Sequence, residues 1–483
     1  MEMYFKKLLF LFIFFVQYVF VFAVKPVVIE GQASFAQKNQ LRFYFYNDLS
    51  LKEKVLCAST NVDSEGHFRV EIPTNETVLL IIAFNTTYGY ILIEPEKRYQ
   101  VELSADENLL KRIDAELLGG MIETRIVPVD TAELNYKVNR FDKYFSYFLY
   151  LYSSYIYQNI PIPTYDSLIG LLTEKFPIDS ASIDYYSVYV KYRIAEIDLL
   201  YYHKNKDKLY SKYLDSPHIF YNNIAYMDFF DSFFEGYLYT GTRKIPHKIL
   251  YDNINLNRNY YKLLDEMGKE SVLVNEKIRE LVFIKGLGEL YELDFEFSQN
   301  NILYLLFQMS KESKFEEHRK MSANLIKYLT KLKPETKAPD FVLKDIYNSS
   351  VSIGSFEGRY LYIHFFSTYC EDCIREMLVL KSIQEKYKDS LQIVSIMVDF
   401  EQANLYHFVN SHKEFDWTFL HFGGNFSFID AYKVYGLPLG LLINSQGNIV
   451  SYPAKSPTQG LRRQIFAIFP MVETPPLLDK NRY

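Results

Sequence analysis

The sequence predicts a multidomain protein in which an all-β, sandwich-like domain and an all-α region precede a C-terminal α/β domain. The chain has 483 residues, of which 49% are hydrophobic and 23% charged, enough for about three domains with packed cores. The hydrophobic pattern changes twice along the chain, from short alternating runs to helical spacing and then to a strand–helix–strand order. We therefore place the boundaries at residues 104 and 332.

The first 23 residues have the pattern of a secretory signal peptide. Lys6 and Lys7 precede an apolar run over residues 8–24, and Val21-Phe22-Ala23 matches a small-x-small cleavage pattern. We therefore expect an exported protein of the periplasm or cell envelope. No cysteine lies directly after the run, at the cleavage point, so the sequence lacks the lipobox of a bacterial lipoprotein. The run is also long enough for an uncleaved N-terminal anchor, which is the alternative.

Residues 24–104 are expected to form a small antiparallel β-domain. Residues 40–46 alternate polar and apolar side chains, and residues 63–66 predict a turn before a strand at residues 67–72. Two further apolar, β-branched runs follow. Cys57 lies in a β-like stretch, where we expect a small buried residue.

Residues 105–332 show the spacing of helices. The runs at residues 141–157 and 183–202 keep apolar or tyrosine side chains three and four positions apart, as amphipathic helices do. The aromatic stretch at residues 221–230 is expected to be a buried helix face, and lining a groove is its alternative role.

Charge and cysteine content exclude several classes of partner and site. Lys plus Arg number 53 and Asp plus Glu 59, so the net charge is −6, and no basic run is present. Nucleic acid is therefore not an expected partner. Three cysteines are too few for a disulfide framework, and no second Cys or His pair is spaced to complete a zinc site. We expect no metal and no other cofactor.

The motif that carries chemistry is Cys370-Glu371-Asp372-Cys373, in the C-terminal domain at residues 333–470. Continuous apolar strands at residues 360–366 and 391–398 flank a helix that begins at the motif. A thiol in the first helical turn faces unpaired backbone N–H groups, which stabilise its thiolate. The position predicts a redox-active dithiol, with a structural disulfide as the alternative. Residues 471–483 are expected to be a tail.

These residues resemble the thioredoxin fold, and within it the exported TlpA/ResA-like thiol-disulfide oxidoreductases, over about residues 336–469. The β-region also resembles the small β-domain that precedes such domains in Bacteroidetes proteins. The C-terminal resemblance rests on four motifs: Ala338-Pro339-Asp340-Phe341, the strand and Ser367-Thr368-Tyr369 before the cysteines, Arg375-Glu376-Met377 after them, and Gly436-Leu437-Pro438 with its hairpin.

The resemblance implies a catalytic set of three residues. Cys370 is expected to be the attacking thiol and Cys373 the resolving thiol, and the two form a disulfide when oxidised. Glu376 follows one helical turn beyond Cys373, so its carboxylate could exchange protons with that buried sulfur. An exposed helix glutamate is the alternative for Glu376.

The resemblance also implies a substrate-binding set, which consists of Tyr369, Leu437 and Pro438. If Pro438 is cis, it would lie against the disulfide and present the backbone of Leu437 to a substrate strand. Tyr369 stands where the family usually has Trp, and Leu378 and Leu439 also depart from its pattern. The client protein is therefore not predicted.

The expected activity is that of a disulfide reductase acting on protein disulfides. Glu371 and Asp372 repel a neighbouring thiolate, so the Cys370 thiolate is stabilised less than between neutral residues, which favours a reductant over an oxidant. The family implies a membrane-bound thiol reductant as partner. The sequence leaves the oligomeric state open.

Two other functions are alternatives. A peroxidase shares the fold, but Ile363-His364-Phe365-Phe366 lacks the proline expected upstream of a peroxidatic cysteine. The other alternative is a non-catalytic binding or scaffold protein of the cell envelope, because more than two thirds of the chain lies outside the redox domain.

Overall fold

The computed structural model describes residues 25–84, 87–105, 122–158, 160–202, 205–241, 245–291, 293, 296–399, 401–434 and 436–470. The signal peptide expected at residues 1–23 and the tail expected at residues 471–483 lie outside these ranges. The architecture confirms the predicted fold class, with strand-rich sheets first, then helices, then an α/β domain with a thioredoxin-like sheet.

The N-terminal part is a sandwich of two four-stranded sheets, with strand orders β4-β1-β7-β8 and β3-β2-β5-β6. In β4, Phe68, Val70 and Ile72 alternate with exposed residues and point into the common core. The strands are β1 (Val27–Gln32), β2 (Gln40–Tyr46), β3 (Lys54–Asn61), β4 (His67–Ile72), β5 (Val78–Phe84), β6 (Thr87–Ile93), β7 (Arg98–Ala105) and β8 (Ile122–Ile126).

Two features of this sandwich differ from the sequence prediction. The domain is not wholly antiparallel, because β1 pairs with β7 in parallel. It also does not end at residue 104, because β8 lies in the stretch assigned to the helical region and pairs with β7. Alternation predicts a strand but not its partner or direction, and the five residues of β8 are held by this long-range pairing rather than by a clear pattern of their own.

The helical part contains ten α-helices among the described residues. Side chains of Asp184, Asn205, Asn223, Asn259 and Ser298 accept backbone N–H groups and so begin five of them. The helices are α1 (Leu134–Tyr157), α2 (Ile162–Lys175), α3 (Tyr185–Tyr201), α4 (Lys206–Tyr213), α5 (Ile224–Phe233), α6 (His247–Tyr251), α7 (Tyr260–Met267), α8 (Glu276–Tyr291), α9 (Gln299–Glu312) and α10 (Glu316–Thr330), with π-helical turns at Tyr237–Gly241 and Asp252–Leu256.

The aromatic stretch at residues 221–230 contributes to the core of these helices. Phe229 and Phe230 of α5 are fully buried, as a buried helix face requires. Tyr221, by contrast, lies beside a surface cavity and its hydroxyl is hydrogen-bonded to His318. The first part of the stretch therefore lines a cavity, and the second part forms core.

The C-terminal part is a seven-stranded mixed sheet with the order β10-β9-β13-β12-β11-β14-β15. Strand β11 lies in the interior of the sheet, with β12 parallel on one side and β14 antiparallel on the other. The strands are β9 (Val342–Asp345), β10 (Ser350–Ser352), β11 (Tyr360–Phe366), β12 (Leu391–Met397), β13 (Thr418–His421), β14 (Leu439–Ile443) and β15 (Ile449–Ser451). The helices are α11 (Glu371–Tyr387), α12 (Gln402–Ser411), α13 (Phe426–Ala431) and α14 (Arg462–Ile468), with a π-helical turn at Pro457–Leu461.

Polar contacts join the sandwich to both later parts. Lys331, just after α10, forms an ion pair with Glu53 at 2.9 Å, and Asn324 of α10 donates to Asp48. Arg42 of β2 donates to the carbonyl of Gly424, in the C-terminal part. Within the described ranges, no helix is both long and apolar enough to cross a membrane.

Candidate redox site

The site begins where the central strand β11 ends. Residues 361–366 of this strand are buried, and Ser367-Thr368-Tyr369 then leads the chain to the surface. Asp399, which is only 3% exposed, accepts the backbone N–H of Thr368 at 2.9 Å and also its hydroxyl. Two hydrogen bonds to one carboxylate therefore hold the loop that precedes Cys370.

Cys370 and Cys373 form a disulfide at the start of α11, with their Cα atoms 5.2 Å apart. Cys370 is the N-cap residue, and its sulfur accepts the backbone N–H of Cys373 at 3.1 Å. Cys373 is 0% exposed, whereas Cys370 is partly exposed. An external nucleophile or disulfide can therefore meet Cys370, while Cys373 is shielded.

The two residues between the cysteines are acidic and exposed. Asp372 forms an ion pair with Arg375, and both side chains are more than half exposed. Such an exposed pair contributes little to stability, because water screens it. The negative charges of Glu371 and Asp372 interact favourably with the positive N-terminal end of the helix. The same charges destabilise a thiolate on Cys370 by repulsion.

Glu376 is buried, at 7% exposure, on the inner face of α11. The hydroxyl of Ser456, in the segment after β15, donates to its Oε1 atom. Its Oε2 atom lies 3.5 Å from Nε2 of His364 on β11. The alternative of an exposed helix glutamate is therefore excluded.

His364 is a residue that the sequence analysis missed as a candidate. It is fully buried, its ring stacks parallel to Phe366 at 6.1 Å between centroids, and neither ring nitrogen has a hydrogen-bond partner among the described residues. A signal was present in the sequence, since His364 is the one ionisable imidazole in a continuous apolar strand. Strand alternation places it on the same face as Tyr362 and Phe366.

Tyr362 is a second buried polar residue on the same face of β11 as His364. Its hydroxyl donates to the carbonyl of Lys455 at 3.5 Å, and burial together with the charge of Glu376 raises the pKa of its phenol. Gly440, on the neighbouring strand β14, leaves room for this ring, because a Cβ atom there would lie 2.2 Å from the Tyr362 hydroxyl oxygen. The glycine is thus required by close approach.

The expected substrate-binding residues Tyr369, Leu437 and Pro438 are all at least partly exposed. Tyr369 directly precedes Cys370 and is 60% exposed. The Leu437–Pro438 peptide bond is cis, and both residues are partly exposed. Leu437 packs against the apolar cluster that contains Cys373, and Cys370 packs against the same cluster. Leu437 and the two cysteines therefore share one apolar cluster.

Comparison with known proteins places this site in a family. A thioredoxin-like family model matches residues 358–449. The thiol-disulfide oxidoreductase ResA of Halalkalibacterium halodurans is 30% identical over 134 residues, which are 28% of this chain and 73% of that protein. The chain belongs to the ResA-like thiol-disulfide oxidoreductase family. The predicted resemblance is thereby confirmed.

Two further ResA proteins and one solved structure match the chain over a similar fraction of its length. ResA of Bacillus subtilis is 26% identical over 26% of this chain and 69% of its own length. ResA of Bacillus thuringiensis is 28% identical over 24% of this chain, which spans 65% of that relative. The thioredoxin domain of a Bacteroides vulgatus thiol-disulfide oxidoreductase is 21% identical with a TM-score of 0.26, and covers 28% of this chain and 98% of that one.

Proposed function

We propose that this protein is an exported disulfide reductase that acts on protein disulfides through Cys370 and Cys373. The observation that carries the proposal is the asymmetry of the pair, with a partly exposed sulfur at the helix N-cap and a buried partner. Export is inferred from Lys6, Lys7 and the apolar run that follows them. We retain three domains in the proposal, with the β-domain extended to include β8.

The proposed reaction has two thiol–disulfide exchanges. The thiolate of Cys370 attacks a client disulfide, a bond forms between Cys370 and one client sulfur, and the other client sulfur leaves as a thiolate. Cys373 then loses its proton to Glu376 and attacks Cys370. The Cys370–Cys373 bond forms, the second client thiolate leaves, and two electrons have passed from the protein to the client.

Proton transfer to Glu376 is supported by position and burial. Cys373 and Glu376 lie three residues apart on the same helix and both are buried, so their side chains are neighbours. A carboxylate beside a buried thiol can accept its proton without opening the site to water. We therefore assign Cys370 and Cys373 as the reacting thiols and Glu376 as the proton acceptor.

The direction of electron flow follows from the charges around Cys370. The helix N-terminus and the N–H of Cys373 stabilise a thiolate there. Glu371 and Asp372 oppose it, although Arg375 pairs with Asp372. A less stabilised thiolate makes the dithiol easier to oxidise, and hence a stronger reductant.

A client would bind beside the cis-proline segment. We expect the backbone of Leu437 to pair with an extended client strand, which is a common mode of peptide recognition. The exposed ring of Tyr369 supplies apolar surface next to the reacting sulfur. A membrane-bound thiol reductant would then regenerate the dithiol.

The test is the reduction potential of the pair in the full chain. The redox state is measured by thiol alkylation and mass in glutathione or dithiothreitol buffers, alongside reduction of a disulfide-containing client. We expect a potential well below that of protein disulfide isomerase, about −180 mV, and loss of client reduction in Cys370→Ser. A potential near about −120 mV, as in strong oxidants, would overturn the direction. A pair that never cycles would instead favour a non-catalytic scaffold.

A further inference from the structure

We propose that His364 is a positioning residue for Glu376, whose buried carboxylate it holds in the charged form needed to accept the proton of Cys373. The proposal rests on the proposed function, because it concerns the step in which Cys373 resolves a mixed disulfide. His364 does not contact the reacting sulfurs in this scheme. It acts through Glu376.

The geometry that supports this role joins three segments of the C-terminal part. Nε2 of His364, on the central strand β11, lies 3.5 Å from Oε2 of Glu376, on α11. The Ser456 hydroxyl, after β15, donates to the other carboxylate oxygen. Both partners are removed from water, since His364 is 0% and Glu376 7% exposed.

A buried carboxylate is stable as an anion only if hydrogen bonds or an opposite charge replace its lost hydration. Ser456 supplies one donor to one oxygen. The Tyr362 hydroxyl donates to the carbonyl of Lys455 instead. Among the described residues, His364 lies 3.5 Å from Oε2 and can satisfy it, by donating Nε2–H as a neutral ring or by carrying a positive charge.

The surroundings of His364 offer few competing charges. On its own strand it has Tyr362, and on α11 it faces Glu376, with Cys373 one turn away. Its neighbours across the sheet are Ser395 on β12 and Gly440 on β14, which carry no charge. Neither ring nitrogen of His364 has a hydrogen bond among the described residues, so the imidazole is available to Glu376.

His364 supports the step in which Cys373 resolves the mixed disulfide. The S–H bond of Cys373 breaks and its proton goes to the Glu376 carboxylate. The Cys373 sulfur forms a bond to Cys370, the bond between Cys370 and the client sulfur breaks, and the client leaves as a thiolate with the electron pair. This transfer requires that Glu376 be charged before the step, and the imidazole stabilises that form.

Loss of the imidazole should therefore change the pH dependence of the resolving step in one direction. Without it, Oε2 of Glu376 has no neighbouring donor among the described residues to replace its lost hydration, so the buried charged carboxylate is less stable. The pH midpoint of the resolving step should rise by about one to two units, which is the size expected for one hydrogen bond to a charged group. At a pH below the new midpoint, resolution should slow about tenfold for each unit of this shift.

The test uses the full reduced chain in single turnovers with a peptide disulfide, and follows release of the second peptide thiol as a function of pH. His364→Met and His364→Gln form a matched pair, because the two side chains are similar in size and only Gln has an N–H donor. We expect His364→Met to raise the midpoint and His364→Gln to return it towards the wild-type value. In a Glu376→Gln background, His364→Met should cause no further shift.

The outcomes separate the inference from the proposed function. A wild-type chain that releases no peptide thiol would overturn both. Normal turnover in the wild type, together with an unchanged midpoint in a folded His364→Met variant, would overturn the role of His364 and leave the reductase intact. Unfolding followed by Trp417 fluorescence checks that each variant folds, and His364→Leu replaces His364→Met if the latter does not.

Discussion

Reduction of the Cys370–Cys373 disulfide should lower the stability of the C-terminal domain. The two cysteines are three positions apart, so the disulfide closes a loop of four residues. Chain entropy alone then gives a stabilisation of about 1.9 kcal/mol, since loop closure removes about 6 cal/mol/K from the unfolded chain. The reduced state recovers part of this difference, because its thiolate interacts with the helix N-terminus.

That recovery should be small at this site. A charge in the first turn of a helix gains about 0.3–1 kcal/mol, and Glu371 and Asp372 act against the negative charge of a thiolate. The oxidised domain should therefore be the more stable form by about 1–2 kcal/mol. By linkage, the native dithiol is then more reducing than the same dithiol in the unfolded chain, by about 20–40 mV.

The assay is urea unfolding of the full chain with and without reductant, followed by tryptophan fluorescence. Trp417 is the single tryptophan of the 483 residues, and its indole N–H donates to Ser395 of β12 at 2.9 Å. Its signal therefore reports on the C-terminal domain, even if the rest of the chain unfolds separately. A Cys370→Ser/Cys373→Ser variant should be insensitive to reductant. Greater stability of the reduced form would refute the reasoning, since thiolate stabilisation would then exceed the loop contribution.

Two further predictions concern a polar contact and the third cysteine. Asp399→Ala should destabilise the C-terminal domain, followed by Trp417 fluorescence, by about 3 kcal/mol and slow disulfide exchange, because it removes the oxygen that accepts both hydrogen bonds from Thr368. Asp399→Asn, which keeps one acceptor oxygen, should lose less stability, and equal losses would contradict this. Burial raises the pKa of the Cys57 thiol to about 11 from 9.0, so alkylation of Cys57 at pH 8 should be about 100-fold slower in the native chain than in urea. Equal rates would show that the thiol is not protected.

The parts of the fold that follow local rules were predictable from the sequence. β11 spans the predicted residues 360–366, and α11 begins at the dithiol motif as predicted, because a continuous apolar run and a helix start are local signals. The strand β8 and the parallel pairing of β1 with β7 were not predictable in this way. Their stability comes from partners about 20 or more residues away in the chain.

The site shows the same division between local and long-range information. Helical spacing places Glu376 one turn beyond Cys373, but it does not show whether the carboxylate is buried. Burial depends on His364 from β11 and on Ser456, which lies 80 positions further along the chain. His364 could have been recognised as a candidate from the sequence, because it is an imidazole inside an apolar strand just before the dithiol. Strand alternation and the helix that follows place it on the side of the strand that the helix covers.

The negative charges on the two sides of the dithiol all destabilise a thiolate relative to the disulfide. Glu371 and Asp372 lie on the exposed side, and Glu376 would contribute a negative charge from the buried side if His364 holds it ionised. The disulfide is neutral and is little affected by these charges, whereas a thiolate is destabilised by all three. A site that destabilises its reduced, charged form gives up electrons readily. In the proposed function, the arrangement that gives Cys373 a proton acceptor therefore also favours reduction of the client.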